Sequence, residues 1–522
     1  MTHESAAQED IEVLVVGAGP TGLMLANWLT RLGVHTIVVD GRDGPTLESR
    51  ALGVQSRSLE IYDQLGVVDR VLAEAEHADS VRQGFGRKAF APVRLAGLGR
   101  GLTPYPGIFV LEQSANERIL AGHLAELGGG VRWRHRLSGL EQDDDGVVAR
   151  VEGPDGQEII RARFAVGCDG ASSTVRSLCG IPFEGTTNRQ TFFLVDAVGV
   201  RGLAPATVNV RQGTAEFLLA FPMKPDGAAR QRQRLIGIAD DGATAVTEGY
   251  AQQRLAEVFG VTYEHSHWFS TYRVHHRVAA RFRDRSVLLA GDAAHVHSPV
   301  GAQGMNTGLQ DAHNLAFKLA DVLAGRVPDT HLDRYEAERR PVALRLIRST
   351  DRVFRAVTSR SRAATLVRRY APRVVLPVGI ALVSHLPIGR RAAGYLGQLR
   401  IHYWMDGPPS GRRGRRDAVV GRRLAWTGEN FDALRSASWQ LHLYAPDAAT
   451  ARSAEAAAVG LGLPLRTFAS TGSTPLRPGT LYLVRPDGFV AAASPPSDAV
   501  AAFRAAQHPA SAGHRGGTEG RP

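Results

Sequence analysis

Gly17-Ala18-Gly19-Pro20-Thr21-Gly22 is a glycine pattern of the kind that cradles a diphosphate. It directly follows Ile11–Val16, an apolar, β-branched run of strand length. Leu23, Leu25, Ala26, Leu29 and Leu32 come next, and their spacing predicts one apolar helix face ending at Gly33. A second strand is predicted over His35–Val39 and runs into Asp40. In such a strand–turn–helix–strand unit Gly17 makes the tight turn, Gly19 lets a pyrophosphate approach the backbone, and Gly22 lets helix and sheet pack closely. The helix start offers unpaired N–H groups and the positive end of its dipole. Asp40 falls where a carboxylate accepts hydrogen bonds from the adenosine ribose. This motif alone fits FAD and a nicotinamide nucleotide equally.

Two further motifs narrow the choice. Phe164–Cys168 is a short apolar strand candidate that leads into Asp169-Gly170 and then Ala171–Arg176. Ser286–Ala290 is another, followed by Gly291-Asp292-Ala293-Ala294-His295. After Pro299 come Gly301-Ala302-Gln303-Gly304-Met305-Asn306 and a predicted helix over Thr307–Leu323. In this order the three motifs resemble the fingerprints of the single-component (class A) FAD-dependent aromatic hydroxylases. That family includes para-hydroxybenzoate hydroxylase and phenol hydroxylase, and its polyketide-hydroxylase branch is compatible. The resemblance covers about Ile11 to Arg340. It implies an α/β fold: a Rossmann-like FAD-binding domain with an inserted antiparallel substrate-binding sheet, plus a C-terminal thioredoxin-like domain. The domains expected are residues 1–180 with 275–345 for FAD, 181–274 for substrate, 346–405 as a helical linker region, 406–505 as the thioredoxin-like domain, and 506–522 as a disordered tail.

The resemblance also assigns residues. Asp292, held by the strand before it, matches the aspartate that bonds the ribityl chain of FAD. Gly304-Met305-Asn306 opens a helix, whose N–H groups and dipole suit the negative charge that a reduced flavin carries at its N1–O2 edge. Pro299 matches a rigid wall beside the isoalloxazine ring. Asp169 matches a residue near the pyrophosphate, where the nicotinamide nucleotide passes; by itself Asp-Gly reads as a turn. Arg50, in a polar loop, matches the arginine that reaches the FAD phosphates, for which a bidentate guanidinium suits better than lysine. Gln113 matches the glutamine near the ribityl chain. Arg42 and Arg57 are candidates for surface charge, Arg57 more so. Ala302 departs from the glycine common in relatives and stiffens that loop. The six tryptophans include no Trp-x-Trp pair, the signature of flavin halogenases.

Composition sets the outer bounds. A chain of 522 residues with 43% apolar content suits two or three folded domains. No apolar run reaches the ~20 residues of a membrane span, and Val374–Leu386, broken by Pro377, reads as part of a buried helical segment. Met1–Asp10 is polar and acidic, without a hydrophobic signal segment, so a cytoplasmic location is expected. Cys168 and Cys179 are the only cysteines, which excludes a disulfide scaffold and a cysteine-based zinc site. The net charge is +11, and many of the basic residues are spread through Arg339–Arg373 and Arg412–Arg423 with no interleaved aromatic platform, so no nucleic-acid partner is expected. Arg412–Arg416 reads as a solvated loop.

Thr191–Val195, Thr207–Val210, Ala215–Ala220 and Arg234–Ile238 are predicted strands of an antiparallel sheet. In the family this sheet roofs the substrate pocket, and Phe192, Phe217, Phe221 and Trp268 are candidates to stack on a planar ring, with core packing an equal account of each. His265, His267, His275 and His276 have no carboxylate spacing that supports a metal, and none is expected. Trp439–Tyr444 and Thr480–Val484 are predicted strands of the C-terminal domain, which lacks cysteine and so carries no thiol chemistry. A structural or dimer-forming module is the expectation there, with a homodimer compatible.

The function implied is hydroxylation of a phenolic or polyketide-like aromatic by FAD, molecular oxygen and NAD(P)H, through a hydroperoxide on the flavin. The cofactor carries the hard chemistry, while the protein orients, excludes water and tunes charge. The sequence names no catalytic base. A Baeyer–Villiger or epoxidising oxygenase acting on a ketone or quinone shares all three motifs. A flavin-binding regulator or scaffold is the alternative from another class.

Overall fold

The computed structural model describes residues 11–47, 51–94, 97, 99–214, 216–226, 230–239, 245–297, 303–358, 361, 363, 365–370, 393–405 and 416–507. Arg50, Pro299, Gly301, Ala302, all of Val374–Leu386, Arg412–Arg415 and the tail from residue 508 lie outside the described residues. The chain forms an α/β fold with mixed sheets and divides into two compact units. One comprises residues 1–320 and 339–400, the other 321–338 and 401–522.

The first sheet of the first unit places the chemistry. Its strands lie in the order Arg283–Asp284, Val287–Leu289, Gly156–Gly167, Ile11–Val16, Thr36–Asp40, Val131–Trp133, with an antiparallel extension through Arg136–Gln142 and Val147–Gly153. Ile11–Val16 runs parallel to both neighbours, pairing Val16 with Val39 on one side and with Gly167 on the other. Gly167 in turn pairs in parallel with Leu289. Four strands therefore end at one level. Asp40, Gly17, Cys168–Asp169 and Ala290–Asp292 all emerge at that carboxyl edge, where open parallel sheets bind ligands. The strands are near-continuous apolar runs because both faces are covered, as parallel strands require.

The second sheet has eight strands, ordered His295–Val296, His265–Ala279, Phe183–Val198, Arg230–Ile238, Phe217–Asp226, Thr207–Gln212, Ser80–Phe85, Lys88–Arg94. All four strands predicted between the second and third motifs are present in it. It holds four strands beyond the expected ones, His295–Val296 and His265–Ala279 at one end and two more at the other. Ser80–Phe85 and Lys88–Arg94 join it from before the second motif, and Ser80–Phe85 pairs in parallel with Thr207–Gln212. Strand periodicity divides its two faces. Phe192, Leu194, Phe221, Met223 and Ile236 pack with Leu52 and Val110. Phe193, Val195, Leu218, Ala220 and Leu235 pack instead with Leu255, Phe259 and Val261. Leu52 and Val110 belong to, or directly precede, a small sheet of Gly53–Val54, Ile108–Val110 and Glu76–Ala78, which ties this face to the site described below.

In the second unit a four-stranded sheet runs Leu465–Phe468, Gln440–Tyr444, Leu481–Val484, Val490–Ser494. The first two strands pair in parallel across the helix Ala448–Leu461, and the rest are antiparallel. His442 is fully buried there, its ring nitrogens bonded to Tyr444 Oη and Gln440 Oε1, both at 3.0 Å. Arg485 is also buried and is neutralised by Glu338 and Asp487.

Candidate functional site

The three glycines of the first motif have three different environments. Gly17 has φ +102°, its N–H donates to Val39 O at 2.8 Å, and a Cβ there would lie 2.6 Å from Cys168 O. A Cβ on Gly22 would lie 1.9 Å from Gly17 O. These two are glycine because the protein's own backbone leaves no room. Gly19 has φ −72°, open to any residue, and a Cβ there meets nothing within 4 Å. Its glycine has no cause within the protein. It stands at the start of the helix Pro20–Arg31, with no side chain capping that end. The space over Gly19, bordered by unpaired helix N–H groups, fits a diphosphate. A Cβ would fill part of that space.

Asp40 accepts four hydrogen bonds: Ala18 N–H at 2.7 Å, and Arg42 N–H at 2.8 Å, Nε at 3.1 Å and Nη2 at 3.0 Å. Burial opposes its ionisation, but Arg42 and the Ala18 amide outweigh burial and hold the carboxyl below the usual range. Arg42 is thus not an idle surface charge; its Nη1 also donates to Glu117 Oε2 at 3.0 Å. Gln113 opens the helix Gln113–Glu126, its Nε2 donating to Glu117 Oε1 at 3.0 Å and its Oε1 accepting from Ala51 N–H at 3.4 Å. Arg57 corrects an expectation. It is 2% exposed rather than at the surface, and its Nη1 donates to Glu60 Oε2 at 3.1 Å. The helix Ser56–Leu65 that carries it is buried on every side, and its run of polar residues disguised this.

Asp169 emerges beside Gly17 and caps the short helix Thr174–Leu178, accepting from Thr174 N–H at 2.6 Å and Val175 N–H at 3.1 Å. Burial pushes its pKa up against those bonds. Arg176 donates to Ala293 O and to Ala171 O, both at 2.8 Å, and lies over the Phe183 ring at 3.8 Å. It fastens the second motif to the third.

Asp292 follows the buried strand Val287–Leu289 in a single helical turn, Gly291–Ala293, and is exposed. The turn is held from beneath by residues that sequence reasoning passed over. Asp311, fully buried, accepts from Gly291 N–H at 3.2 Å, His295 Nε2 at 2.7 Å and Arg339 Nε at 2.6 Å. Burial raises the pKa of Asp311, and the charges of Arg339 and His295 outweigh it, so the carboxyl sits below the usual range. A charged residue on the apolar stripe of the predicted helix Thr307–Leu323 was the available signal. Thr21 of the first motif packs against this region, since a Cβ on Gly291 or Gly308 would meet its Oγ1 at 2.5 and 2.3 Å. Gly304 begins the helix Gly304–Leu323. Asn306 is fully buried: its Oδ1 accepts from Gln55 N–H at 2.9 Å and Ser58 Oγ at 2.7 Å, and its Nδ2 donates to Gly53 O at 2.8 Å. Met305 Sδ accepts from Asn116 Nδ2 at 3.4 Å.

Among the aromatic candidates, Phe192, Phe217 and Phe221 are buried, at 1%, 8% and 9% exposure. Phe192 stacks on Tyr272 at 5.5 Å between centroids, and Trp268 is half-buried with Arg234 over its ring. Arg234 pairs with Asp196 on the same face, an ion pair embedded in the apolar layer. Among the described residues no group of three or more His, Cys, Asp or Glu is placed to hold a metal, and no helix is long and apolar enough to cross a membrane.

This edge, with its open cradle at an uncapped helix start, has the form of a dinucleotide site. The comparisons agree. Residues 10–350 match the family model described as an FAD binding domain. A 12-dehydrotetracycline 5-monooxygenase/anhydrotetracycline 6-monooxygenase of Streptomyces rimosus is 35% identical over 417 residues, 77% of this chain and 79% of the relative. A 6-methylpretetramide 4-monooxygenase of Streptomyces rimosus is 34% identical over 522 residues, 92% of this chain and 90% of the relative. The solved structure of an aklavinone-11 hydroxylase with FAD and aklavinone has a TM-score of 0.74 at 25% identity, covering 96% of this chain and 99% of that one. The chain belongs to the family of class A FAD-dependent aromatic hydroxylases. It is an FAD-dependent monooxygenase.

Proposed function

We propose that this enzyme hydroxylates a phenolic, polyketide-like polycyclic aromatic, using FAD, molecular oxygen and NAD(P)H. The observation that carries the cofactor site is Gly19: alone among the three glycines of the first motif it has no packing reason to lack a side chain, and it stands at a helix start. Support for the substrate class comes from the relatives, whose names specify tetracycline-type and anthracycline-type aromatics.

FAD, when bound, supplies acceptance of hydride from NAD(P)H and activation of oxygen. The chain's own residues hold and orient. The Gly17–Gly22 turn and the helix start would receive the diphosphate, and Asp40 the adenosine ribose. For the ribose to bond Asp40 it must displace a donor, because Ala18 and Arg42 occupy all of the roughly four acceptor positions of a carboxylate. Asp292, exposed beyond its strand, and Gln113 would bond the ribityl chain. The N-terminus of the helix Gly304–Leu323, with Gly304, Met305 and Asn306, would offer positive dipole to the pyrimidine edge of the ring. Asp169 would act next to the diphosphate through the helix it caps. Arg50 and Pro299 complete this set by resemblance. The substrate would lie against the Phe192–Phe221 face of the second sheet, where apolar side chains exclude water and Trp268 and Tyr272 supply flat surfaces.

In finer architectural terms, the first sheet with residues 1–180 and 275–345 constitutes a Rossmann-like FAD domain, and residues 181–274 the bulk of the substrate sheet. Residues 406–505, with their parallel pair, intervening helix and antiparallel pair, form a thioredoxin-like, structural module without thiols. The test of the function is oxidation of NADPH and NADH by the FAD-loaded protein against a panel of phenols and tetracyclic aromatics. Stimulated consumption of nucleotide with formation of a hydroxylated product supports it. Absence of any stimulation across the panel, with FAD bound, removes it.

A further inference from the structure

Glu117 is a carboxylate that none of the three motifs contains. It lies one helical turn beyond Gln113, at i+4, and is fully buried. Three donors from two segments meet it: Arg42 Nη1 and Thr46 N–H at its Oε2, at 3.0 and 2.8 Å, and Gln113 Nε2 at its Oε1, at 3.0 Å. Arg42 is the residue that also grips Asp40, and Thr46 lies in the loop between Asp40 and Ala51. A buried carboxylate is costly unless it is paired and hydrogen-bonded, and here both conditions are met.

We infer that Glu117 is a positioning residue that fixes the two halves of the cofactor site together. The inference rests on the proposed FAD site. On the adenosine side, Glu117 gives Arg42 a second anchor. When a ribose hydroxyl competes for Asp40, the guanidinium keeps a fixed counter-charge and does not have to leave the site. On the ribityl side, a carboxylate can accept but not donate, so it selects the orientation of the Gln113 amide. Nε2 turns to Glu117, and Oε1 turns to Ala51 N–H. Through Thr46 it also holds the stretch that follows Arg42. One side chain thereby sets the register between the carboxylate that reads the adenosine and the amide that reads the flavin side. A helix face supplying a glutamine alone would not couple them.

The test uses the two halves of FAD as separate ligands. ADP and FMN are each titrated against the FAD-free full-length protein, by displacement of FAD fluorescence and by calorimetry. Asp40→Ala should weaken ADP at least tenfold and leave FMN within threefold, and Gln113→Ala should do the reverse. Glu117→Gln should weaken both at least tenfold, since it removes the charge that holds Arg42 and presents an amide to an amide at Gln113. Loss of one fragment only, or of neither, overturns the inference. So does a lowered melting temperature of the apoprotein with fragment affinities of the folded protein unchanged, which is what a purely structural role gives. Should Glu117→Gln not fold, Glu117→Asp replaces it: the shorter carboxylate keeps its charge within reach of the flexible Arg42 but withdraws from Gln113. FMN should then weaken at least fivefold more than ADP, and equal or absent losses overturn the inference. If the unaltered protein binds neither fragment nor FAD, the cofactor site itself is refuted, an outcome distinct from all of these.

Discussion

Replacing Gly19 by alanine separates a ligand-imposed glycine from a packing-imposed one. The added Cβ meets no protein atom within 4 Å, and φ −72° is ordinary for alanine. Two small terms act on stability. Alanine is a poorer N-cap than glycine, a cost of about 0.5–1 kcal/mol, and it reduces the entropy of the unfolded chain, a gain of about 0.4–1 kcal/mol. They nearly cancel, so the apoprotein should melt within 2–3 °C of the original, on the order of 1 kcal/mol. Binding is different. A methyl group in the diphosphate's path either displaces the phosphate from the helix N–H groups or forces the turn open. Losing even one charge-assisted hydrogen bond costs about 1.5–3 kcal/mol, or roughly ten- to hundredfold in FAD affinity. Gly22→Ala supplies the contrast. Its Cβ would lie 1.9 Å from Gly17 O, backbone that cannot step aside, so the fold itself should lose about 1–3 kcal/mol or more. Scanning calorimetry of both apoproteins, with fluorescence titration of FAD into each, provides the four numbers needed. The reasoning fails if Gly19→Ala binds FAD as tightly as the original, or if it destabilises the apoprotein as much as Gly22→Ala does.

Three other outcomes are expected. Asp292 is exposed and Asp169 caps a helix, so Asp292→Ala should weaken FAD about ten- to hundredfold with stability within ~0.5 kcal/mol, whereas Asp169→Ala should cost about 1 kcal/mol of stability and less affinity; calorimetry and FAD titration of the two variants decide, and equal or reversed affinity losses would refute the assignment. Asp311→Asn should cost about 3–5 kcal/mol by removing the carboxylate charge paired with the buried Arg339. Because the folded pKa of Asp311 lies below its unfolded value of 3.8, its stabilisation is complete above that value and is lost as pH falls through the folded pKa, so urea melts of the variant should be flatter than the original below about pH 4. His442 is driven by burial down to about 3, so the folded state excludes a proton that the unfolded state takes up below its ordinary value of 6.5. Its contribution is present above pH 6.5 and lost as pH falls towards 3, amounting to about 2 kcal/mol by pH 5, and hydrogen exchange in the strand Gln440–Tyr444 should show that loss in the original and not in His442→Gln.

The site's backbone was legible because each motif couples a strand signal to a residue at its end. Val16, Val39, Gly167 and Leu289 close four parallel strands at one level, and the residues after them are the ones singled out from sequence. What escaped were side chains that act at a distance in sequence. Glu117 and Asp311 lie inside helices, where a lone carboxylate reads as a surface or capping residue. Their meaning appears only when Arg42 and Arg339 arrive from 75 and 28 positions away. Arg57 was misplaced for a different reason: its partner Glu60 is only three residues on, but charged neighbours in a polar stretch argue for solvent unless the burial of the whole helix is seen. The strands Ser80–Phe85 and His265–Ala279 escaped because Arg82, Gly84 and alternating His and Arg residues interrupt any apolar pattern. Pairing within the sheet supplies the order that their composition does not. Asn306, singled out for the flavin, is a clamp on Gly53, Gln55 and Ser58, so its side chain serves the site by fixing the neighbouring backbone.

Isotope transfer tests the central claim most directly. The FAD-loaded enzyme is supplied with NADPH, oxygen-18 gas and the tetracyclic aromatic that best stimulates nucleotide oxidation. Hydroxylation moves one oxygen atom of the gas into the product and the other into water, while NADPH supplies a hydride, carrying two electrons and one proton, and the medium supplies the second proton. The account predicts a product carrying a single labelled oxygen on the ring, formed in proportion to NADPH consumed. Unlabelled product, or NADPH consumption that yields only hydrogen peroxide with every aromatic offered, would contradict it.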